Sequence, residues 1–236
     1  MAPTSSLPIS NHLLDGLSAL QQQWFYHHST LVQLEFGEVL CQADETIAYV
    51  YFPLGGFVSL LVPIWGEPAI EMGLIGNEGM IGATLALGKS TAPMQCLVQG
   101  SGSALKLEAS SFCQYLSGNG ALQHTIHSYL YVTLLQLAQT GACNCFHEVL
   151  QRLARWLLMT HDRAHADTFM LTHTFLATML GVRRSAVTIA AGSLQKQGLI
   201  RYRRGHIQIL SREGLEHISC GCYFAALASY KKAMGQ

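Results

Sequence analysis

The chain has 236 residues, half of them apolar and 12% charged, with 14 basic side chains against 14 acidic ones. A neutral total supplies no summed field to draw a polyanion, but the average hides a split: residues 1–145 hold two basic and nine acidic side chains, residues 146–236 twelve and five, or about −7 and about +7. The length suits two modest domains, and the charge division makes the second the candidate for an anionic partner.

The opening Met-Ala-Pro-Thr-Ser-Ser has no basic region followed by an apolar core, so no signal peptide is expected. A cytoplasmic location follows, with seven cysteines, an odd number without framework spacing, kept reduced. Asn11 to His28 reads as one or two short helices, capped by Ser10 and Ser18, with Leu13, Leu14, Leu17 and Leu20 at helical spacing. From Leu31 the period changes to short apolar runs: 31–34, 47–52, 57–62, 69–75, 94–98 and 104–107. Turn signals at 53–56 and 65–68 between them predict an antiparallel β-sandwich or roll. The stretch 47–66 has roughly the ~20-residue length of a membrane span. Its Pro53, Gly55, Gly56 and Pro63, among β-branched and aromatic residues, predict instead two buried strands around a turn, and no membrane partner.

Residues 121–142 carry a helical pattern in Leu122, Ile126, Leu130, Leu134 and Leu137, widened by Tyr129, Val132 and Leu135. A helix apolar around most of its circumference must be covered on two sides. These five residues are therefore expected to serve homodimerisation, the alternative being a core helix of a monomer. Gly141 and the following Cys-Asn-Cys are expected to break the helix; another runs over 146–161, and 162–167 is a polar linker.

Residues 172–180 then predict a short helix with Leu176, Ala177 and Leu180 inward, ended by Gly181, and a second helix over 184–197 with Val187, Ala190, Ala191 and Leu194 on one face. A small residue, a turn glycine and a β-branched residue at 177, 181 and 187 meet the steric needs of a helix-turn-helix. Strand-like runs at 199–202 and 206–210, joined by Arg203-Arg204-Gly205, add a wing. The expected DNA contacts are Thr172, His173, Thr174, Arg183, Arg184, Ser185, Thr188, Arg201, Arg203, Arg204 and His206. Arg184 is assigned to a guanine edge, while Thr172, His173, Arg203 and Arg204 are assigned to phosphates. The alternative is a solvated basic face on a ligand-binding or scaffold protein whose winged helix contacts protein.

Residues 171–187 and 197–210 resemble the helix-turn-helix and wing of the Crp/Fnr family of transcription regulators. Phe36-Gly-Glu-Val-Leu40 and Val50-Tyr-Phe-Pro-Leu-Gly-Gly56 resemble the first turns of its cyclic-nucleotide-binding-like roll. The resemblance covers nearly the whole chain. It implies an α+β chain with an N-terminal antiparallel, jelly-roll-like β-roll (1–118), a long dimerisation helix and hinge (119–145) and a C-terminal winged helix-turn-helix (146–236). It also implies a palindromic double-stranded operator, RNA polymerase as a further partner, and an effector entering through the roll. The family's second base-reading Arg falls on Ile189 and its phosphate-contacting Thr on Ala186. Where cyclic-nucleotide binders carry a Gly-Glu pair and an Arg-Ser, residues 80–92 have neither carboxylate nor guanidinium, so no response to cyclic AMP is expected.

Cys143, Cys145, His147, Cys220 and Cys222 are of metal-ligating type, but Cys-x-Cys is not a standard structural-zinc spacing, and the expected reading is plain thiols with no metal. His27, His28, His124, His127, His161 and His165 have no evident carboxylate partner. The residues name no cofactor. No phosphate loop of the nucleotide-hydrolase type and no Gly-x-Ser-x-Gly elbow is found, so no enzyme is expected.

Overall fold

The computed structural model describes residues 10–235, so the reading of the extreme N-terminus lies outside the described residues. The chain opens with α1 (His12–Asp15) and α2 (Ala19–His28). The cap of α1 is Asn11 rather than Ser10. Its Oδ1 accepts from the Leu13 N–H, and its Nδ2 donates to the carbonyls of Pro53 and Gly79, so one buried amide ties the first helix to the sheet. Ser18 caps α2 as expected, and the Gln21 side-chain oxygen accepts from the Ser18 backbone N–H at 2.9 Å.

The sheet comprises β1 (Thr30–Leu34), β2 (Val39–Cys41), β3 (Tyr49–Ile64), β4 (Glu67–Ile75) and β5 (Gln95–Glu108), antiparallel in the order β1-β5-β3-β4 with β2 also on β5. Pro53 to Gly56 is not a turn. It is a pair of register shifts inside the continuous strand β3, because a bulge absorbs proline and glycine while the ladder resumes on both sides. A Cβ at Gly56 would lie 2.3 Å from the Gly100 carbonyl oxygen, and one at Gly102 2.1 Å from that of Gly55. The glycines thus let β3 and β5 bend against each other. The Trp65-Gly66 turn does join β3 to β4.

After α3 (Ala109–Ser117), α4 (Gly120–Phe146) runs unbroken for 27 residues. Gly141 and the Cys-Asn-Cys do not end it; a single glycine costs a helix only ~1 kcal/mol, which the long packed flank offsets. Leu122 and Ile126 are buried in the roll's own core beside Phe112, Leu107 and Tyr129, and Leu130 packs on the same cluster. Those positions are taken within the chain. Leu137 leans toward Gly73 of β4, and of the five only Leu134 is largely exposed, at 63%.

The C-terminal region consists of α5 (Val149–Ala164), β6 (Thr168–Met170), α6 (His173–Leu180), α7 (Arg184–Lys196), β7 (Ile200–Arg203), β8 (His206–Ile209), α8 (Arg212–Ile218) and α9 (Cys222–Met234). Its core is continuous with the roll: Phe57, Leu61 and Leu74 join Leu157, Leu176, Val187 and Leu194 in one cluster. Across this junction Trp156 Nε1 donates to Glu71 Oε1 at 2.7 Å, the Ser59 hydroxyl donates to the other oxygen at 2.5 Å, and Arg163 pairs with Glu78 at 2.7 Å. Helix α9 returns along α4 to the roll, where the Tyr230 hydroxyl donates to the Glu78 carbonyl. Among the described residues no helix is long and apolar enough to cross a membrane.

Candidate nucleic-acid interface

Thr172 caps α6, its hydroxyl accepting from the Phe175 N–H at 3.1 Å. Gly181 ends the helix at φ +61, a conformation that a residue with a Cβ adopts only at a cost. A Cβ there would also strike Ile70 of β4. Helix α7 is held by Val187, Ala190, Ala191 and Leu194, all buried, and shows Arg184, Ser185, Thr188, Ile189 and Gly192 outward. Its cap, Arg183, makes no side-chain capping bond. The first N–H groups of the helix are therefore open to an anion, on the positive end of its dipole.

The wing is a three-stranded sheet, β6-β8-β7. The two-residue loop Arg204-Gly205, both at positive φ, closes β7 onto β8 as a right-twisting hairpin turn. Alternation sends Ile200, Ile207 and Ile209 inward and leaves Arg201, Arg203, Arg204 and His206 exposed. Tyr202 stacks on the His173 ring at 4.2 Å, and His173 Nδ1 meets the Thr188 hydroxyl at 3.0 Å. Wing, α6 and α7 are thereby braced as one unit.

Burial first, and then the Arg184 charge, lower the His173 pKa from its ordinary value. The Thr188 hydroxyl is bonded to the Arg184 carbonyl as well as to His173. Ile189, on which the resemblance places the family's second base-reading position, stands 74% exposed one turn beyond Ser185. An apolar residue lying off the 187, 190, 191 and 194 face has to point outward.

The basic excess of this half is also less free than its count suggests. Arg152 and Arg155 are buried, Arg163 pairs with Glu78, and Arg212 pairs with Asp162 and Glu216. Arg183, Arg184, Arg201, Arg203 and Arg204 are exposed and in no ion pair among the described residues, and they all belong to α7, its cap or the wing.

Residues 151–218 match the model of the Crp-like helix-turn-helix domain. The chain superposes on a protein of Eubacterium rectale assigned to the crp/fnr transcriptional regulators, with a TM-score of 0.69 at 14% identity, over 88% of this chain and 97% of that one. The chain has the Crp/Fnr fold. FixK2 from Bradyrhizobium japonicum (TM-score 0.67, 16% identity, 81% and 98% covered) shares that fold. So does the c-di-GMP-responsive regulator CLP of Xanthomonas campestris (0.66, 16%, 82% and 100%). No curated sequence matches the chain significantly.

Proposed function

We propose that this protein is a homodimeric, sequence-specific DNA-binding transcription regulator of the cytoplasm that does not respond to cyclic AMP. We divide it into a roll (1–118), a dimerisation helix and hinge (119–145) and a winged helix-turn-helix (146–236). The observation that carries the reading is that five exposed arginines in no ion pair among the described residues gather on one helix start and the adjoining wing. A protein-docking winged helix has no need of them; a duplex does. Arg184 and Ser185 face base edges, and Ile189 suits a thymine methyl. Thr172, Thr174, Arg183, Arg201, Arg203, Arg204 and His206 hold the backbone.

A second copy is met along the outward face of α4, where His127, Tyr131, Leu134, Ala138 and Gly141 recur at alternating steps of four and three. That is a coiled-coil period. Tyr131 and Leu134 are more than half exposed, and nothing lies within 4 Å of the position a Cβ would take on Gly141, so two helices can approach closely there. RNA polymerase and an effector are the further partners such a regulator requires.

Two observations argue against a cyclic nucleotide in the roll. The cavity between Ile47, Leu60, Met80, Ala92, Met94 and Tyr129 is about 60 Å³, well below the ~300 Å³ at which ligand pockets begin. No arginine or carboxylate lines it, so a phosphate would enter unpaired. A cleft of about 420 Å³ between α4, α5 and α9 is of ligand size. Calorimetry is expected to show no micromolar binding of cyclic AMP or cyclic GMP; a saturable isotherm with either overturns that part of the reading. The reading as a whole is tested by sequencing genomic fragments retained by the purified protein. A shared palindrome is expected, whereas retention without sequence preference favours a scaffold.

A further inference from the structure

Two segments more than 70 residues apart bring four ligand-type side chains together: Cys143, in the last turn of α4, with His147, the C-cap of that helix, and Cys220, just before α9, with Cys222, its first residue. Cys145, the fifth candidate from the sequence, is exposed on another face of the helix and takes no part. The four donor atoms lie within 4.8 Å of one another, with Cys143 Sγ to Cys220 Sγ and Cys222 Sγ to His147 Nδ1 both at 3.5 Å. Metal–sulfur bonds of ~2.3 Å and a metal–nitrogen bond of ~2.0 Å in tetrahedral array put donor atoms ~3.5 to 3.8 Å apart, so the cluster already has almost the dimensions of a filled site. The three thiols are buried as a small core of their own, and Gln139 Nε2 donates to Cys222 Sγ at 3.0 Å, as an outer-sphere group does to a ligating thiolate.

Charge supplies an independent argument. Arg152 and Arg155 are buried, the Nε atom of each is without a partner, and neither forms an ion pair among the described residues. Arg152 bonds the Leu180 carbonyl and Arg155 the Thr140 hydroxyl, both neutral acceptors. Glu71, whose oxygens are engaged by Ser59 and Trp156, feels the Arg155 charge but makes no ion pair with either arginine. Two buried guanidinium ions with no directly paired anion are costly. Both act electrostatically on Cys143, and a divalent cation held by three thiolates and a neutral imidazole carries a net negative charge beside them.

We propose that Cys143, His147, Cys220 and Cys222 form a Cys3His site for a thiophilic divalent cation of the zinc class, which fastens the start of α9 to the end of α4. Coordination replaces the three thiol protons, which leave to solvent as the metal–sulfur bonds form, and no change of oxidation state is involved. Four protein donors leave no open position, so the site is a closed structural clamp rather than a catalytic one.

The test uses the full-length reduced protein, stripped by a chelator and titrated with Co2+ and then Zn2+. Expected are saturation at one metal per chain, tetrahedral ligand-field bands with thiolate charge-transfer absorption, their loss on adding Zn2+, and a rise in melting temperature with Zn2+. Cys143→Ser and His147→Ala should lose the spectrum and the melting shift, and Cys145→Ser should keep both. The proposal is overturned if the reduced parent takes up no Co2+, if the spectrum is octahedral without thiolate bands, or if Cys145→Ser loses binding as fully as Cys143→Ser. It is overturned equally if reducing a native Cys143–Cys220 disulfide yields thiols that bind no metal. If Cys143→Ser fails to fold, the parent titration and His147→Ala, whose side chain is only half-buried, still decide the matter.

Discussion

Arg184 stands at the first position of α7, exposed, with its backbone carbonyl fixed by Thr188 and its side chain free of any acid. Arg184→Ala is expected to cost ~1 to 3 kcal/mol of operator binding and to relax preference at one base pair per half-site. Fluorescence anisotropy on selected and random duplexes checks this, and a variant that discriminates like its parent rules out base reading by this side chain. Glu71 presents a different problem, for it is a carboxyl buried at the junction of roll and helix-turn-helix. Burial raises its pKa from 4.5 to about 7, against the opposing hydrogen bonds of Ser59 and Trp156 and the charges of Arg163 and Arg155. Because the folded value lies above the unfolded one, the group favours folding fully below about 4.5, and that contribution is lost as pH rises through about 7. The amount is on the order of 3 kcal/mol. Glu71→Gln should therefore flatten the dependence of the denaturation midpoint on pH across this window; an unchanged slope would show that Glu71 is not the titrating group.

The elements that declared themselves in the sequence were those with one covered face. The helix-turn-helix was legible because Ala177, Gly181 and Val187 each answer a local steric demand, and α7 because its apolar period is clean. Strand β3 was divided in two because proline and glycine signal turns locally, and only the partner strand β5 shows that they sit in bulges. The residues of α9 lie beyond the wing, where no motif draws the eye, and the Cys-x-Cys spacing looked non-standard because its partners come from α4, far away in sequence. For α4 the period marks apolar faces without telling what covers each. Leu122 and Leu134 read alike in sequence, yet one is 1% exposed and the other 63%. That difference yields a prediction at this scale. Leu134→Glu should leave the roll folded and weaken self-association by about tenfold or more, since a desolvated charge at a seam costs well over the 1.4 kcal/mol of one decade. Leu122→Glu should unfold the roll. Sedimentation across micromolar concentrations with circular dichroism separates the two, and a Leu134→Glu protein as dimeric as its parent would move the seam off this face.

At the scale of the whole molecule, the question is how a chain of zero net charge would hold the polyanion proposed for it. The acidic excess lies in residues 1–145, while the exposed, unpaired arginines are confined to α7, its cap and the wing. Attraction is therefore local and short-ranged, and salt should screen it steeply. If α4 pairs about a twofold axis, the two α7 helices become symmetry mates, and the operator must share that symmetry. A palindromic duplex with half-sites about one helical turn, ~10 bp, apart should bind best, and inserting ~5 bp between half-sites should carry one of them to the opposite side of the duplex and abolish cooperative engagement. Arg203→Ala should weaken binding to every duplex alike and reduce the slope of log affinity against log salt by ~1 per half-site, about two per dimer. Arg184→Ala, by contrast, should change which duplex is preferred. Footprinting on duplexes of graded spacing, with anisotropy at several salt concentrations, measures both quantities together. Tight binding that ignores spacing would mean that the two recognition helices do not act as a pair. A salt slope unchanged by Arg203→Ala would mean that the wing does not reach the phosphates.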